Sequence, residues 1–228
     1  MHIIAEIGVN WDGDFELAKQ LMIMAKNAGC DSVKFQSFEE KMIKDHLQHE
    51  RLIKSAISKK NISQIDQLSK SIGIEWFCTP MFPEAVEFLN PYVKKFKIRE
   101  LDGRSILQNS STPLFEKIMQ TKKPILISAE NSPRNSKFFD NPRIQWLYCV
   151  PKYPCALKEL NFKNFTDFDG FSNHCNKIEG PIRAAKLGTK IIEVHITLDK
   201  TKPFLDNDVS FDYNELQELV KQVRKLKK

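Results

Sequence analysis

Short apolar runs recur along the chain, each followed by a polar loop and then, in most cases, by apolar residues at helical spacing. The runs predict eight strands: His2 to Gly8, Asp31 to Gln36, Ile74 to Thr79, Val93 to Ile98, Ile125 to Ala129, Ile144 to Val150, Asp167 to Ser172 and Lys190 to Ile196. Between the first two, Phe15 to Ala28 reads as an amphipathic helix with apolar Leu17, Ala18, Leu21, Met22, Met24 and Ala25, stopped by Gly29. A polar helix or pair of helices from about Leu47 to Ser71, broken near Asn61-Ile62-Ser63, leads to the third strand. Pro83 opens a short helix, and Thr112 before Pro113 marks the N-cap of another that ends ahead of Pro124. Gly180 to Leu187 is helical up to Gly188, and Asp212 to Lys227 forms the last helix.

The strand cores are continuously apolar instead of strictly alternating, as in a sheet covered on both faces. Eight βα units of this kind predict an α/β fold, a (β/α)8 TIM barrel. An open doubly wound sheet is the alternative, but no Gly-x-Gly-x-x-Gly follows any strand, which removes its commonest cofactor signature. The weakest unit joins strands five and six, where about fourteen residues rich in Asn, Ser, Pro and Phe separate Ala129 from Ile144. That is too few for a barrel helix with its loops, so the helix there is expected to be reduced or missing, with Phe138 and Phe139 covering the gap or forming a subunit contact. No linker or further repeat interrupts the pattern, and residues 1–228 read as one domain.

A chain of 228 residues with 41% hydrophobic content can bury a substantial core. No stretch approaches the ~18 apolar residues of a membrane span, and Met1-His2-Ile3-Ile4-Ala5-Glu6 enters a strand pattern without a signal-peptide layout. A cytoplasmic protein is expected, with no membrane partner. The five cysteines are irregularly spaced without a Cys-x-x-Cys pair, which suggests reduced thiols. Cys175 follows His174 and is read as a spectator in preference to a ligand or nucleophile. The net charge of +6 favours anionic partners. Much of the excess, however, sits in Lys221-Gln222-Val223-Arg224-Lys225-Leu226-Lys227-Lys228, where a helix dipole favours cations, and no basic-aromatic interleaving points to nucleic acid.

A barrel of this type carries its active site at the C-terminal ends of its strands. Those ends collect Glu6 and Asn10, Lys34 and Gln36, Thr79, Lys97 with Arg99, Glu100 and Asp102, Ser128 and Glu130, Tyr153, Ser172 to His174, and His195. Lys34 and Lys97, with hydroxyls from Thr79, Ser128 and Ser172, suit a phosphate or carboxylate. His174 and His195 close the last two predicted strands and reach one rim, where neutral imidazoles could bridge a divalent ion, although either alone is more often a hydrogen-bonded structural residue than a ligand.

Ala5-Glu6-Ile7-Gly8-Val9-Asn10-Trp11-Asp12-Gly13-Asp14, Ala28-Gly29-Cys30-Asp31-Ser32-Val33-Lys34-Phe35-Gln36, Phe77-Cys78-Thr79-Pro80, Phe96-Lys97-Ile98, Lys123-Pro124-Ile125-Leu126-Ile127-Ser128, Tyr148-Cys149-Val150-Pro151-Lys152-Tyr153-Pro154 and the two His segments follow one another in order over nearly the whole chain. Together they resemble the sialic acid synthase (N-acetylneuraminate synthase) family. The resemblance implies a barrel enzyme that condenses phosphoenolpyruvate with an N-acetylmannosamine-type amino sugar to give a nonulosonic acid and inorganic phosphate, with Mn2+ or Mg2+ as cofactor. It carries the phosphoenolpyruvate contacts over to Lys34, Thr79, Lys97, Ser128 and Ser172, and the metal ligands to His174 and His195. Sugar contacts would fall to Gln36, Tyr153 and Asp206, with Asp102 standing where the family has a glutamate, and Glu6 is a candidate acid-base group or a buried structural carboxylate. In such a reaction C3 of phosphoenolpyruvate attacks the metal-activated aldehyde of the open-chain sugar, water adds at C2, and phosphate leaves.

The sequence departs from the family pattern at several of these places. The usual Lys-Ile-Gly-Ser-Gly-Glu is Lys97-Ile98-Arg99-Glu100-Leu101-Asp102, so a small phosphate-binding loop has become bulky and charged, and Glu100 would repel phosphate unless Arg99 compensates. Trp11, Pro151 and Asn173 stand in place of a His, an Asn and an Asp. The sequence ends at Lys228, just after the barrel, whereas typical members continue into a small antifreeze-like domain that brings an arginine to the other subunit's site. The resemblance thus implies a homodimer, or a separate chain that supplies that domain. Three readings follow: a nonulosonic acid synthase, a barrel of the same ancestry acting on another sugar or phosphate substrate, and a catalytically silent barrel that binds a sugar or a partner.

Overall fold

In the computed structural model, which describes residues 1–163 and 165–226, eight strands pair in parallel and in chain order, and the eighth closes on the first. They are β1 (His2–Gly8), β2 (Ser32–Ser37), β3 (Glu75–Pro80), β4 (Phe96–Ile98), β5 (Ile125–Ala129), β6 (Ile144–Tyr148), β7 (Gly170–Asn173) and β8 (Ile191–His195). The fold is a (β/α)8 barrel. Nearly every strand residue is buried, because side chains that face outward are covered by helices and those that face inward fill the barrel.

Helices α1 (Phe15–Ala28), α2 (His49–Lys54), α3 (Ile62–Ile72), α4 (Pro83–Leu89), α5 (Glu100–Leu107), α6 (Pro113–Gln120), α7 (Glu179–Lys186) and α8 (Tyr213–Lys225) lie outside the strands. Their ends follow local chemistry. The Asp14 carboxylate accepts from the first free N–H groups of α1, and Gly29 ends that helix at φ 92°. Thr112 caps α6, and Asp212 with Glu215 forms a reciprocal capping box on α8. Lys227, the predicted end of the last helix, lies outside the described residues with Lys228.

Two segments differ from expectation. The fourth strand begins at Phe96 instead of Val93, because Tyr92 and Val93 close the α4 turn by donating to the Leu89 carbonyl and Lys94 faces solvent. The stretch after it, read as a loop, is helix α5. Gly103 permits this: a Cβ there would stand 2.6 Å from the Ser128 carbonyl oxygen, so only glycine lets the helix lie directly on β5. Residues 130–143 run as turns, with Phe138 packed edge-on against Phe115 at 4.9 Å between centroids.

The connection from β6 to β7 holds only 3-10 turns, at Leu157–Glu159 and Phe165–Asp167, among the described residues. Tyr148, Phe162, Phe165, Phe168 and Phe171 pack there at centroid separations of 5.1–6.5 Å and cover these strands in place of a helix.

Candidate active site

Strand register brings the chemistry together. Glu6 on β1 lies level with Lys34 of β2 on one side and His195 of β8 on the other, and Ser172 of β7 lies level with Glu193 of β8. With Lys97 of β4 these residues line a cavity of about 610 Å³ at the C-terminal ends of the strands, within the size range of small-molecule sites. Gln36, Thr79, Ser128, Tyr153, His174 and Asp206 line it as well. Of the residues that the resemblance assigned to the site, all but Asp102 line this cavity.

Asp102 lies apart from them. It sits on the second turn of α5, its carboxylate accepts from Arg99 Nε at 2.6 Å, and it borders a separate small hollow beside Pro83 and Leu114. The carboxylate from this stretch that does line the cavity is Glu100, which is bound by Arg104 Nε at 2.9 and 3.1 Å. Arg104, one helical turn on, supplies the counter-charge expected of Arg99. Trp11 is a core residue, fully buried, with its indole N–H donated to the Ser55 carbonyl. Cys175 lies in the aromatic core, whereas Cys149 lines the cavity with its sulfur 3.7 Å from His174 Nδ1.

The centre of the cup is a residue that the sequence reading passed over. Glu193 Oε1 accepts from Lys97 Nζ at 2.6 Å, Ser172 Oγ at 2.8 Å and Lys34 Nζ at 3.0 Å, tying β8 to β2, β7 and the opposite strand β4. Its signal was a lone carboxylate inside an apolar run, two residues before His195 and so on the same face of the strand. Burial pushes the Glu193 carboxyl upward, but the two lysines outweigh burial and hold it well below the usual carboxylate range. Burial likewise pulls Lys34 down, and Glu193 with Glu6 more than restores it to above its ordinary value. Lys97 stays below its ordinary value, because burial and then the Lys34 charge exceed what Glu193 returns.

Glu6 accepts from Gln36 Nε2 at 2.8 Å through Oε1 and keeps Oε2 3.5 Å from Lys34 Nζ. Burial raises its pKa, with Lys34 opposing. Gly8, at φ 54°, passes beneath this pair, where a Cβ would stand 3.1–3.3 Å from Asp206, Glu6 and Gln36. His174 Nδ1 donates to the Val150 carbonyl at 2.8 Å, which leaves Nε2 as the free ring nitrogen, and burial followed by the His195 charge lowers its pKa to about 3. His195 lies 5.5 Å from it between ring centroids, with Tyr153 over His174 at 3.9 Å.

His195 Nδ1 faces Asp206 Oδ2 at 3.2 Å, an ion-pair distance. Burial lowers the His195 pKa, but Asp206 and then Glu6 raise it overall. Asn10 fixes this acid in place: its Nδ2 donates to Ile196 and Ser210, and its Oδ1 accepts the Asp206 N–H at 2.9 Å.

Five buried polar atoms around the cup lack a hydrogen-bond partner among the described residues: Glu6 Oε2, Thr79 Oγ1, Ser128 Oγ, Glu193 Oε2 and His195 Nδ1. Such atoms are costly unless a ligand satisfies them. The neutral imidazole of His174 and the His195 ring suit a divalent cation, but no three His, Cys, Asp or Glu side chains gather as a metal-binding set among the described residues.

The sequence pattern of the NeuB family matches residues 21–228. The chain belongs to the NeuB family. This NeuB-family barrel is 31% identical to an uncharacterized protein of Methanocaldococcus jannaschii over 99% of its own length and 71% of the relative's. It is 29% identical to the N,N'-diacetyllegionaminic acid synthase of Legionella pneumophila, over 97% of this chain and 71% of that one. It is equally identical, at 29%, to the human N-acetylneuraminate-9-phosphate synthase, covering 97% and 69%. The crystal structure of an N-acetylneuraminic acid synthetase from Leptospira borgpetersenii, in complex with citrate, superposes with a TM-score of 0.84 at 24% identity, over 98% of this chain and 82% of that one, and shows the shared fold. These relatives support an enzyme of nonulosonic acid synthase type. Among the described residues no helix is long and apolar enough to cross a membrane.

Proposed function

We propose that the barrel condenses phosphoenolpyruvate with an N-acetylmannosamine-type amino sugar to form a nonulosonic acid and inorganic phosphate. The observation that carries this reading is the pairing of two buried lysines, bridged by Glu193, with two imidazoles across one cavity. Lys34 and Lys97 would hold the carboxylate and phosphate of the donor, and the unpartnered hydroxyls of Thr79 and Ser128, with Ser172, would donate to its oxygens. The relatives are named for one phosphorylated and one diacetylated product, so family membership leaves the acceptor open.

His174 and His195 would hold a divalent cation, which would supply Lewis-acid polarisation of a carbonyl oxygen and charge for the anionic donor. The remaining chemistry belongs to the chain. As C3 of the donor bonds to the acceptor carbonyl carbon, that oxygen takes up a proton. Water adds to C2 and gives its proton to Glu6 Oε2, whose raised pKa suits a proton acceptor. The bond from C2 to the phosphate oxygen then breaks with its electron pair on the departing phosphate, which Lys34 and Lys97 stabilise; the new C2 hydroxyl passes its proton to that phosphate as the ketone forms, and the proton held by Glu6 replaces the one spent on the acceptor oxygen. Gln36 aims the Glu6 carboxylate, and Asn10 and Asp206 set the His195 ring.

Phosphate release from phosphoenolpyruvate, measured with and without an amino sugar and Mn2+, tests the reading. Release that needs both is the expected result. Absence of release across a panel of amino sugars, with the protein folded and sugar binding intact, would replace it with a silent sugar-binding barrel.

A further inference from the structure

Helix α2 borders the cavity and contributes Leu52 to its lining, yet it is six residues long, has no side-chain N-cap and has no fully buried residue. So short a helix does not hold itself. Its position comes from the loop after β1, where Trp11 donates to the Ser55 carbonyl at 2.8 Å and Gly13 lies against the Lys54 carbonyl, which a Cβ there would meet at 2.5 Å. Asp12 and Gly13 are both left-handed, at φ 52° and 76°, a backbone that a non-glycine residue seldom adopts. The turn presents the Asp12 carboxylate to Arg51 of α2, which takes both oxygens, with Nε at 2.8 Å and Nη2 at 2.5 Å. Arg51 Nη1 donates to the Pro203 carbonyl at 2.5 Å, in the loop after β8. One guanidinium thus joins three segments of the rim.

We propose that Arg51 is a positioning residue, which clasps α2 to the loops after β1 and β8 and thereby fixes Asp206 and, through it, the His195 ring. Asp206 follows Pro203 by three residues, gives its N–H to Asn10 Oδ1 at 2.9 Å and faces His195 Nδ1 at 3.2 Å. Leu205, between them, packs in the apolar cluster that holds Leu52 and Ile53 of α2. The Arg51 and Asp12 side chains are 29% and 21% exposed, and an ion pair so placed adds little to folding. What the guanidinium supplies is direction: a rigid planar fork satisfies a carboxylate with two donors and a carbonyl with a third, which an ammonium group cannot do at once. A shift of about 1 Å in a group that positions a reaction can cost up to a hundredfold in rate, so a clasp of small energy has a large effect on turnover. Only this last step, the effect on turnover, rests on the condensation reading above.

The test compares Arg51→Met and Arg51→Lys with the parent, each as the full chain. Amide hydrogen exchange over residues 199–211, read by mass spectrometry, should quicken in both variants while the strands stay protected and the melting point moves little. Lysine can reach Asp12 or the Pro203 carbonyl but not both, so exchange over residues 46–57 should quicken with Met and return toward the parent with Lys. At saturating Mn2+, with phosphoenolpyruvate and an acceptor that the parent turns over, kcat should fall at least about tenfold in both variants while KM for either substrate changes less than about threefold. Exchange over 199–211 that matches the parent in Arg51→Met overturns the clasp, and faster exchange with an unchanged kcat overturns the positioning role; both leave the condensation reading standing. If the parent itself releases no phosphate with any acceptor, the condensation reading falls, and Mn2+ calorimetry then decides Arg51: affinity that drops several-fold together with faster exchange supports the proposal, and undiminished affinity overturns it.

Discussion

Replacing Glu193 with Gln removes one negative charge from between two buried ammonium groups. Lys97 and Lys34 are 2% and 6% exposed at their side chains, so neither can turn to solvent for relief. Gln keeps a carbonyl oxygen to accept from Lys97 and Ser172, but the ion pairs at 2.6 and 3.0 Å become bonds to a neutral group. The cost should fall at the low end of the range for breaking a buried pair, about 3 kcal/mol. In a chain of this length that is a fall in Tm of roughly 6–12 °C.

The pH dependence identifies the cause. Lys97 already lies below its ordinary value, and the substitution lowers it further. An unfolded chain then binds more protons than the folded one between the depressed value and the ordinary value of 10.5, so stability rises with pH across that window. Melting curves from pH 7 to 10 should show the gap between variant and parent narrowing as pH rises. Freed of their internal partner, the lysines should also bind an anion more tightly, so phosphoenolpyruvate should raise the Tm of the variant more than that of the parent. A variant that melts with the parent at pH 7, or whose deficit is constant with pH, would refute the ionic account of the cup.

Three further outcomes follow from the same geometry. The metal-free protein should lose stability as pH falls from the ordinary histidine value of 6.5 toward 3, because His174 is neutral when folded and its unfolded counterpart protonates first; the loss is of order 5 kcal/mol, and chemical denaturation of His174→Gln should show that segment of the acid profile flattened. Gly103→Ala should destabilise by about 1–3 kcal/mol, since its Cβ meets the Ser128 carbonyl at 2.6 Å and α5 must lift from β5; it should also raise the acceptor KM, and an unchanged melting point would contradict the packing described. His174→Ala and His195→Ala should each weaken Mn2+ binding by at least about tenfold in calorimetry while thermal melts remain cooperative, and undiminished affinity in both would place the ion elsewhere.

The barrel was legible because each strand is a continuous apolar run with its chemistry at its end, and the rim residues Glu6, Lys34, Lys97, Ser172, His174 and His195 could be collected by position alone. What stayed hidden depended on packing between elements. Helix α5 has glycine in its middle and no side-chain N-cap, so local propensity argues against it despite the acidic first turn; contact with β5 forms it. That helix then reversed the expected roles of its acids, turning Glu100 toward the cavity and Asp102 toward Arg99. Glu193 was concealed by its surroundings, since one acid in an apolar strand does not disturb the pattern that identifies the strand. Only closure of the barrel, which sets β8 across from β4, reveals its partner.

The ring cluster between β6 and β7 bears on how this architecture tolerates shortening. Five aromatic side chains shield the outer surface of two strands where the usual design spends a whole helical segment, and Asn161 donates its N–H to the Tyr148 hydroxyl at 2.9 Å so that the polar tip is not stranded. Because aromatic rings cover more area per residue than an amphipathic segment does, such a patch is an economical substitute wherever a connection is trimmed. Deletions in homologous connections should accordingly be tolerated when accompanied by gains of Phe or Tyr nearby, and deleterious when they are not.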